Sequence, residues 1–250
     1  MQKVMKEIYD TVLSHDWVKS CTNGHAAVGN TLEMMLGKQT ENFELPDYKG
    51  IELKAKVSKK EKYITLFNST PDSYLFEIKR LQKEYGYPDA KFPDFKVFNV
   101  SIYGNREIFI NNHYFKLLVD YINQKVILTI YNKEHNLIDD LTSWSFQMLK
   151  EKLERKLSYL SIIHAERKIQ NNEIYFKYKT IAFYKLISFD IFLRLLERGI
   201  IRINFQIGVY KSGRKFGQIY DHGTAFSIHE SNITKLFTKL QFDNNEHTSV

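Results

Sequence analysis

A short stretch of acidic and basic residues in the first quarter of the chain has the spacing needed to hold a metal ion. Asp47 is followed by the turn pair Lys49-Gly50 and then by Glu52 and Lys54. Alternation of apolar and charged residues predicts a strand in which Glu52 and Lys54 share one face. The turn would return the Asp47 carboxylate towards Glu52. Two hard oxygen donors at one point suit Mg²⁺, which proteins bind through few carboxylates and complete with water and phosphate oxygens.

Lys54 adds a third chemical group to this candidate metal centre. An ammonium beside two carboxylates can orient or deprotonate an attacking water and stabilise charge on a phosphorane-like transition state. Such a centre would hydrolyse phosphodiester bonds, with Asp47 and Glu52 as the metal ligands. An ordinary half-buried strand with a solvated charged face is the alternative interpretation, so the neighbouring segments decide between the two.

The neighbouring segments contain two elements that could complete the centre. Residues 29–37 predict a short helix bracketed by glycines, in which Glu33 falls off the apolar stripe and can face the centre. Residues 63–67 predict an adjacent strand. The motifs Gly-x-Thr-Leu-Glu, Pro-Asp-x-x-Gly-Ile-Glu-Leu-Lys, Thr-Leu-Phe and Asp-His-Gly-Thr-Ala-Phe therefore occur in this order, over about residues 29–228.

This order of motifs resembles the MvaI/BcnI-type restriction endonucleases and, more distantly, the mismatch-repair nickase MutH. The resemblance implies a mixed α/β fold of the PD-(D/E)xK kind, with a central mixed β-sheet flanked by helices and two lobes around a DNA cleft. It also implies catalytic roles for Asp47, Glu52, Lys54 and Glu33. All four are present in this chain.

The function implied by the resemblance is that of a type II restriction endonuclease. Such an enzyme would be a monomer that uses Mg²⁺, with Mn²⁺ as a substitute, and cuts short duplex DNA sites of the CCNGG kind one strand at a time. A cognate DNA methyltransferase would be its genetic partner. The alternative is a MutH-type repair nickase whose cleavage a partner protein licenses.

Composition agrees with a DNA-binding protein. The 36 Lys and Arg exceed the 29 Asp and Glu, and the net charge of +7 favours a polyanionic partner. Cys21 is the only cysteine, which excludes an intrachain disulfide and a Cys-rich zinc site and fits a reducing cytoplasm. No apolar run is long enough to span a bilayer, and residues 1–16 show an amphipathic helix pattern rather than a signal peptide.

The length of 250 residues predicts a single nuclease domain of two lobes. Residues 1–160, approximately, would form the catalytic lobe and residues 161–250 the DNA-recognition lobe. Strands are predicted near residues 95–102, 114–119 and 126–131, the last two as a hairpin. Apolar residues at helical spacing between Phe146 and Leu160 predict an amphipathic helix. Its predicted solvated face consists of Glu151, Lys152, Arg155 and Lys156.

The last third of the chain contains the predicted DNA-contacting residues. A helix near residues 188–198 ends at Gly199, and the following strand alternates apolar residues with Arg202, Asn204 and Gln206. Two further segments come after this strand: a glycine-flanked basic loop at residues 211–217, and residues 220–222. A solvated sheet face is the alternative interpretation of the strand. The predicted DNA-contacting residues are Asn204, Gln206, Lys211, Arg214, Lys215, Tyr220, Asp221, His222 and Ser227.

The chain departs from the family in this recognition region. Where relatives that cut CCWGG carry Arg, His and Arg, this chain has Gln206, Tyr220 and Ser227. Arginine pairs bidentately with guanine and glutamine with adenine. The recognition sequence of those relatives therefore cannot be assigned to this chain. The predicted catalytic residues are not affected by this difference.

Overall fold

The structure, a computed structural model, describes residues 1–37, 45–57, 62–72, 74–221 and 223–241. The helices in these residues are α1 Gln2–Leu13, α2 Ala27–Met35, α3 Tyr74–Tyr85, α4 Phe146–Leu157, α5 Phe189–Glu197 and α6 Ile233–Leu236. The strands are β1 Val18–Lys19, β2 Glu52–Val57, β3 Tyr63–Asn68, β4 Tyr87–Pro88, β5 Lys96–Ile102, β6 Ile108–Ile110, β7 His113–Asp120, β8 Lys125–Tyr131, β9 Leu137–Asp139, β10 Ser143–Ser145, β11 Tyr159–Gln170, β12 Glu173–Leu186, β13 Ile201–Val209, β14 Ile219–Asp221, β15 Ala225–His229 and β16 Phe237–Lys239.

The predicted strands and the helix after residue 188 are present. β2, β3, β5 and β13 lie where the alternation placed them, and β7 pairs with β8 as an antiparallel hairpin. α5 begins after Ser188, whose hydroxyl accepts a hydrogen bond from the Ile191 amide (3.2 Å). It ends at Glu197, and Gly199, two residues later, has a φ of 65° and donates its amide hydrogen to the Leu196 carbonyl. The positions of these elements are confirmed, but β3 pairs with β15 and not with β2, so its predicted adjacency to β2 is wrong.

Two compact units divide the chain, and each unit combines separate segments. Unit 1 contains Met1–Ile64, Lys152–Ile187 and Ile233–Val250, whereas unit 2 contains Thr65–Glu151 and Ser188–Asn232. The units differ from the predicted contiguous division near residue 160, because β11 joins β12 to β2 in one sheet. The functional division into a catalytic and a DNA-recognition lobe stays a prediction.

Unit 1 is built on a mixed sheet in the order β1-β12-β11-β2, with β16 also paired to β12. β2 runs parallel to β11, with Glu52 opposite Leu160 and Lys54 opposite Ile162, and the other pairs are antiparallel. α1 and α2 pack on this sheet through apolar side chains that water does not reach. This core includes Met5, Ile8, Val12, Val28, Leu32, Leu53, Ile163 and Phe176.

Unit 2 contains two sheets, in which β13 runs antiparallel to β5, β14 and β15, and β8 runs antiparallel to β7, β9 and β10. One has the order β3-β15-β13-β5-β4, with β14 on β13, and the other has the order β10-β8-β7-β6, with β9 on β8. Aromatic rings fill its core. Phe67 stacks on Phe226 with ring centroids 4.9 Å apart, and the buried Trp144 donates its indole hydrogen to the Ser69 carbonyl (3.0 Å). This core fixes β13 and its neighbours, which carry most of the predicted DNA-contacting residues.

Two interpretations of the sequence are corrected by the fold. Glu52 is 1% exposed and Lys56 is 8% exposed, so the interpretation of β2 as a strand with a solvated charged face is wrong. The helix predicted up to Leu160 ends at Leu157, because Leu160 pairs in β11 with both β2 and β12. No helix in the described part of the chain is long and apolar enough to cross a membrane.

Candidate active site

A tight turn places Asp47 next to β2. Tyr48 and Ile51 exchange two backbone hydrogen bonds (2.9 and 2.8 Å) across Lys49 and Gly50, which have φ angles of 44° and 88°. Positive φ at both central residues is the signature of a type I′ turn, and Gly adopts it without steric cost. The bend predicted at Lys49-Gly50 is therefore confirmed.

The Asp47 carboxylate is fixed by the strand that follows the turn. Its Oδ2 atom accepts a hydrogen bond from the backbone amide of Leu53 (3.0 Å). Asp47 is also close enough to raise the pKa of Glu52 through charge repulsion. The two carboxylates are therefore close enough for their charges to interact, and their role as metal ligands stays a prediction.

The Glu52 carboxylate is buried, and its two oxygen atoms have different surroundings. Oε1 accepts a hydrogen bond from Lys54 Nζ (2.7 Å) and lies 3.5 Å from Lys156 Nζ. Oε2 is buried without a hydrogen-bond partner in the described residues. Burial raises the pKa of Glu52, Lys54 lowers it and Asp47 raises it further. A buried carboxylate oxygen without a donor is costly unless a cation takes the donor's place.

The donor set fits a divalent ion that is bound by few protein ligands. Asp47 and Glu52 offer hard carboxylate oxygens, and Glu52 Oε2 has no competing donor in the described residues. The same residues contain no group of three or more His, Cys, Asp or Glu arranged around a metal position. Mg²⁺ is commonly held by one or two carboxylates, water and substrate phosphate. Two carboxylates from the protein are therefore compatible with a metal ion whose coordination is completed by water and by phosphate oxygens of the substrate.

Glu33 lies on α2, which packs against β2 in unit 1. α2 begins at Ala27, so Gly29 lies inside the helix instead of bracketing it. Leu32 is buried in the core and Glu33 is half-buried beside it. The role of Glu33 as a helix acid near the metal stays a prediction.

Lys156 is a site residue that the sequence interpretation missed. It was placed on the solvated face of α4, but its side chain is only 16% exposed and points its ammonium at Glu52. That assignment is wrong because a helix residue seven positions after another returns to nearly the same face, and Lys156 follows the buried Leu149 by this heptad spacing. A lysine within an apolar stripe was the signal available in the sequence.

Two of the predicted DNA-contacting residues lie on the polar face of β13, and they differ in exposure and in hydrogen bonding. Asn204 is half-buried, its Oδ1 accepts from Ser101 Oγ (2.7 Å), and its Nδ2 donates to Ser227 Oγ (2.6 Å). Ser227 is 1% exposed, which gives it a supporting position within the sheet. Gln206 is exposed. Among these residues, Gln206 has the most accessible side chain.

The predicted basic loop contains two exposed cations and one that is already paired. Arg214 and Lys215 are exposed within the short 3₁₀ turn Gly213–Lys215. Lys211 Nζ lies 2.7 Å from Asp89 Oδ2, and this hydrogen bond is the main cause that lowers the pKa of Asp89. This ion pair links the basic loop to the segment around Asp89.

The segment after the loop lies across the end of β13. Tyr220 of β14 covers Gly208, where an added Cβ would come within 2.8 Å of the phenol oxygen. Asp221 Oδ1 accepts a hydrogen bond from the Gly223 amide (3.0 Å). His222 lies outside the described residues. Contacts of Tyr220, Asp221 and His222 with bases stay predictions.

Solved structures define the class of this fold. The chain superposes on the restriction endonuclease MvaI in complex with its cognate DNA substrate with a TM-score of 0.85, and on MvaI in the absence of DNA with a TM-score of 0.62. In each comparison the identity is 30%, and the match covers 96% of this chain and 97% of the other. The fold is that of a restriction endonuclease.

Sequence comparison defines the family. The chain belongs to the MvaI/BcnI restriction endonuclease family, whose sequence profile matches residues 5–237. It is therefore a type II site-specific nuclease. Comparison with curated proteins gave no match. The resemblance drawn from the motifs and the mixed α/β fold are both confirmed, whereas the roles of individual residues stay predictions.

Proposed function

We propose that the protein is a Mg²⁺-dependent endonuclease that hydrolyses phosphodiester bonds within a short specific site of duplex DNA. The observation that supports this most directly is the buried Glu52 Oε2, which has no donor in the described residues and lies beside the turn that holds Asp47. Asp47 and Glu52 would hold the ion. A bound divalent ion activates water and neutralises charge on phosphate oxygens.

The chain's own residues have distinct parts in this reaction. Lys54 Nζ lies 2.7 Å from Glu52 Oε1. From this position the ammonium can orient the attacking water and stabilise the negative charge that develops on the phosphate. Lys156 adds a second positive charge at the same carboxylate. Glu33 would act as an outer acid or as a ligand of a second ion. These groups lie within unit 1.

Duplex DNA as the substrate is supported by the family and by charge. The net charge of +7 favours a polyanion, and the related MvaI was solved with its cognate DNA. The resemblance suggests a CCNGG-like site. However, Gln206, Tyr220 and Ser227 stand where relatives that cut CCWGG carry Arg, His and Arg, and these residue types prefer different bases. A companion methyltransferase would protect host DNA in the cytoplasm.

The metal requirement is tested by cleavage of plasmid DNA with different ions. Mg²⁺ and Mn²⁺ should support cutting, whereas Ca²⁺ should support binding with little turnover because its coordination geometry is looser. Excess chelator should stop the reaction. Undiminished cutting in excess EDTA would refute the metal mechanism, and cutting of unmodified plasmid with Mg²⁺ alone would argue against a nickase that requires a licensing partner.

The number of strands cut per encounter is tested separately. One chain has one Asp47–Glu52–Lys54 set, so a monomer should nick one strand before it cuts the other. A time course on supercoiled plasmid should then show an open-circular intermediate before linear product. Direct conversion to linear DNA, together with a dimer in sedimentation, would contradict the monomer proposal.

A further inference from the structure

β5 places a second row of polar side chains beside β13. The two strands are antiparallel, with Gln206 opposite Asn99 and Asn204 opposite Ser101. Directly opposite residues of an antiparallel pair point to the same face. Asn99 and Ser101 therefore extend the polar face of β13, whereas the neighbouring Phe98 is buried on the other face. No motif in the sequence pointed to β5 as part of a DNA-contacting surface.

The polar groups of this face fall into two sets. Asn204 is hydrogen-bonded to both Ser101 and Ser227, and Arg202 Nε donates to Ser227 Oγ (3.3 Å), so these polar groups are engaged within the sheet. Asn99 and Gln206 are exposed. Their side-chain amides make no hydrogen bond within the part of the chain that the structure describes. The two amides therefore lie side by side with donors and acceptors available to a ligand.

The backbone that carries these amides is well fixed. Asn99 lies inside β5 and is paired there with β13, and its carbonyl accepts a hydrogen bond from the Tyr87 hydroxyl (3.0 Å). Gln206 lies inside β13, which is paired to β5 along this stretch. A polar pair on two hydrogen-bonded strands is positioned more firmly than one on a loop. The engaged residues Asn204 and Ser227 help to hold this face.

Cationic groups occur close to the beginning of β5. Phe95, the residue before β5, packs on Phe216 with ring centroids 5.4 Å apart, which ties the basic loop to this strand. The loop carries the exposed Arg214 and Lys215. Cations that meet phosphates beside neutral amides that meet base edges are the usual division of work in DNA recognition. The chemistry of this surface therefore fits duplex DNA.

We propose that Asn99 is a base-contacting residue and that Asn99 and Gln206 read neighbouring bases, each with adenine as its preferred partner. The inference rests on the proposed function, in which the polar face of β13 meets duplex DNA. An Asn or Gln amide pairs bidentately with N6 and N7 of adenine in the major groove. The Cβ atoms of opposite residues are about 4.5–5.5 Å apart, a spacing that lets the two amides reach bases stacked about 3.4 Å apart.

The test compares Asn99→Ala and Gln206→Ala with Asn136→Ala, which removes an exposed amide elsewhere in unit 2. Binding to a randomised library of duplex sites is profiled in Ca²⁺, and thermal unfolding verifies the fold. Asn99→Ala and Gln206→Ala should each lose roughly tenfold to a hundredfold of discrimination at one base pair. The two affected positions should be adjacent, and Asn136→Ala should match the unsubstituted protein.

A second variant changes the preference instead of removing it. Asn99→Asp replaces the amide donor by an acceptor, so the preference at the affected position should shift from adenine to cytosine, whose N4 group is a donor. An unchanged profile for Asn99→Ala, or a loss of affinity equal for all sequences, would overturn the inference. The proposed function fails on a different result: folded unsubstituted protein that cuts no plasmid with Mg²⁺.

Discussion

The candidate catalytic site on β2 and the polar face of β13 are built in opposite ways. The catalytic site draws Asp47, Glu52 and Lys54 from one turn and one strand, and adds Lys156 from α4. The polar face combines side chains from strands β5, β13 and β15, which are far apart in the sequence. The candidate catalytic groups thus come mostly from one local segment, whereas the polar groups of the β13 face are brought together from distant segments by the fold.

The two regions also differ in charge and burial. The candidate catalytic site consists of acidic and basic side chains with limited exposure, and Glu52 is 1% exposed. The polar face of β13 and β5 presents mainly neutral amides and hydroxyls, part of them hydrogen-bonded to each other. Because a preorganised charge in a buried site contributes more than an exposed amide, substitutions on β2 should have the larger effects.

The largest expected effect comes from removing the catalytic groups themselves. Asp47→Ala, Glu52→Ala and Lys54→Ala should each lower the cleavage rate a hundredfold or more, the scale of a lost preorganised electrostatic group. Site-specific binding should persist, because the polar face is untouched. Single-turnover cleavage with Mg²⁺ and gel-shift binding in Ca²⁺ measure the two properties. Near-normal cutting by any of the three variants would show that the site is misassigned.

A smaller loss is expected at Lys156, which contacts the site from α4. Lys156→Gln should reduce cutting roughly tenfold at saturating Mg²⁺, or about 1.4 kcal/mol of transition-state stabilisation, because one positive charge near the phosphate is removed. The half-saturating Mg²⁺ concentration should not rise. Lys150→Gln, an exposed position on the same helix, is the matched control. Equal rates for the two variants would remove Lys156 from the site.

The basic loop provides a comparison of paired and exposed cations. Arg214→Ala should weaken binding to all sequences and lower the slope of log affinity against log salt by about 1. Lys211→Ala should change this slope less, because its ammonium is held by Asp89 at 2.7 Å. Affinity measured over a salt series distinguishes the two. If both variants lowered the slope equally, Lys211 would be a phosphate contact despite its ion pair.

The smallest effect concerns the turn that positions Asp47. Gly50→Ala should lower the free energy of unfolding by about 1 kcal/mol, because Gly50 has a φ of 88° and no atom within 4 Å of an added Cβ. Only the backbone conformation resists the substitution. Gly29→Ala is the control, since Gly29 lies inside α2 with equally open space and a helical backbone. Urea unfolding should show Gly29→Ala at or above the stability of the unsubstituted protein.

The sequence predicted those features that depend on neighbouring residues. Alternation identified β2 and β13, and the Lys49-Gly50 pair identified the turn, because strand periodicity and positive φ are local properties. Lys156 was wrongly assigned to the solvated face of its helix, because its contact with Glu52 is created only by the fold. Asn99 was not among the predicted DNA-contacting residues for a similar reason. Its relation to Gln206 depends on the register between β5 and β13.

The interleaving of the two units has a consequence for synthesis of the enzyme. Glu52 lies on a strand whose partner begins at Tyr159, so the contact order of the catalytic sheet is high. A nascent chain that has emerged from the ribosome only as far as residue 151 carries Asp47, Glu52 and Lys54 but lacks β11 and Lys156. We therefore expect that translation delivers the nuclease in a latent form, and that cutting begins only after the later segments have joined the sheet.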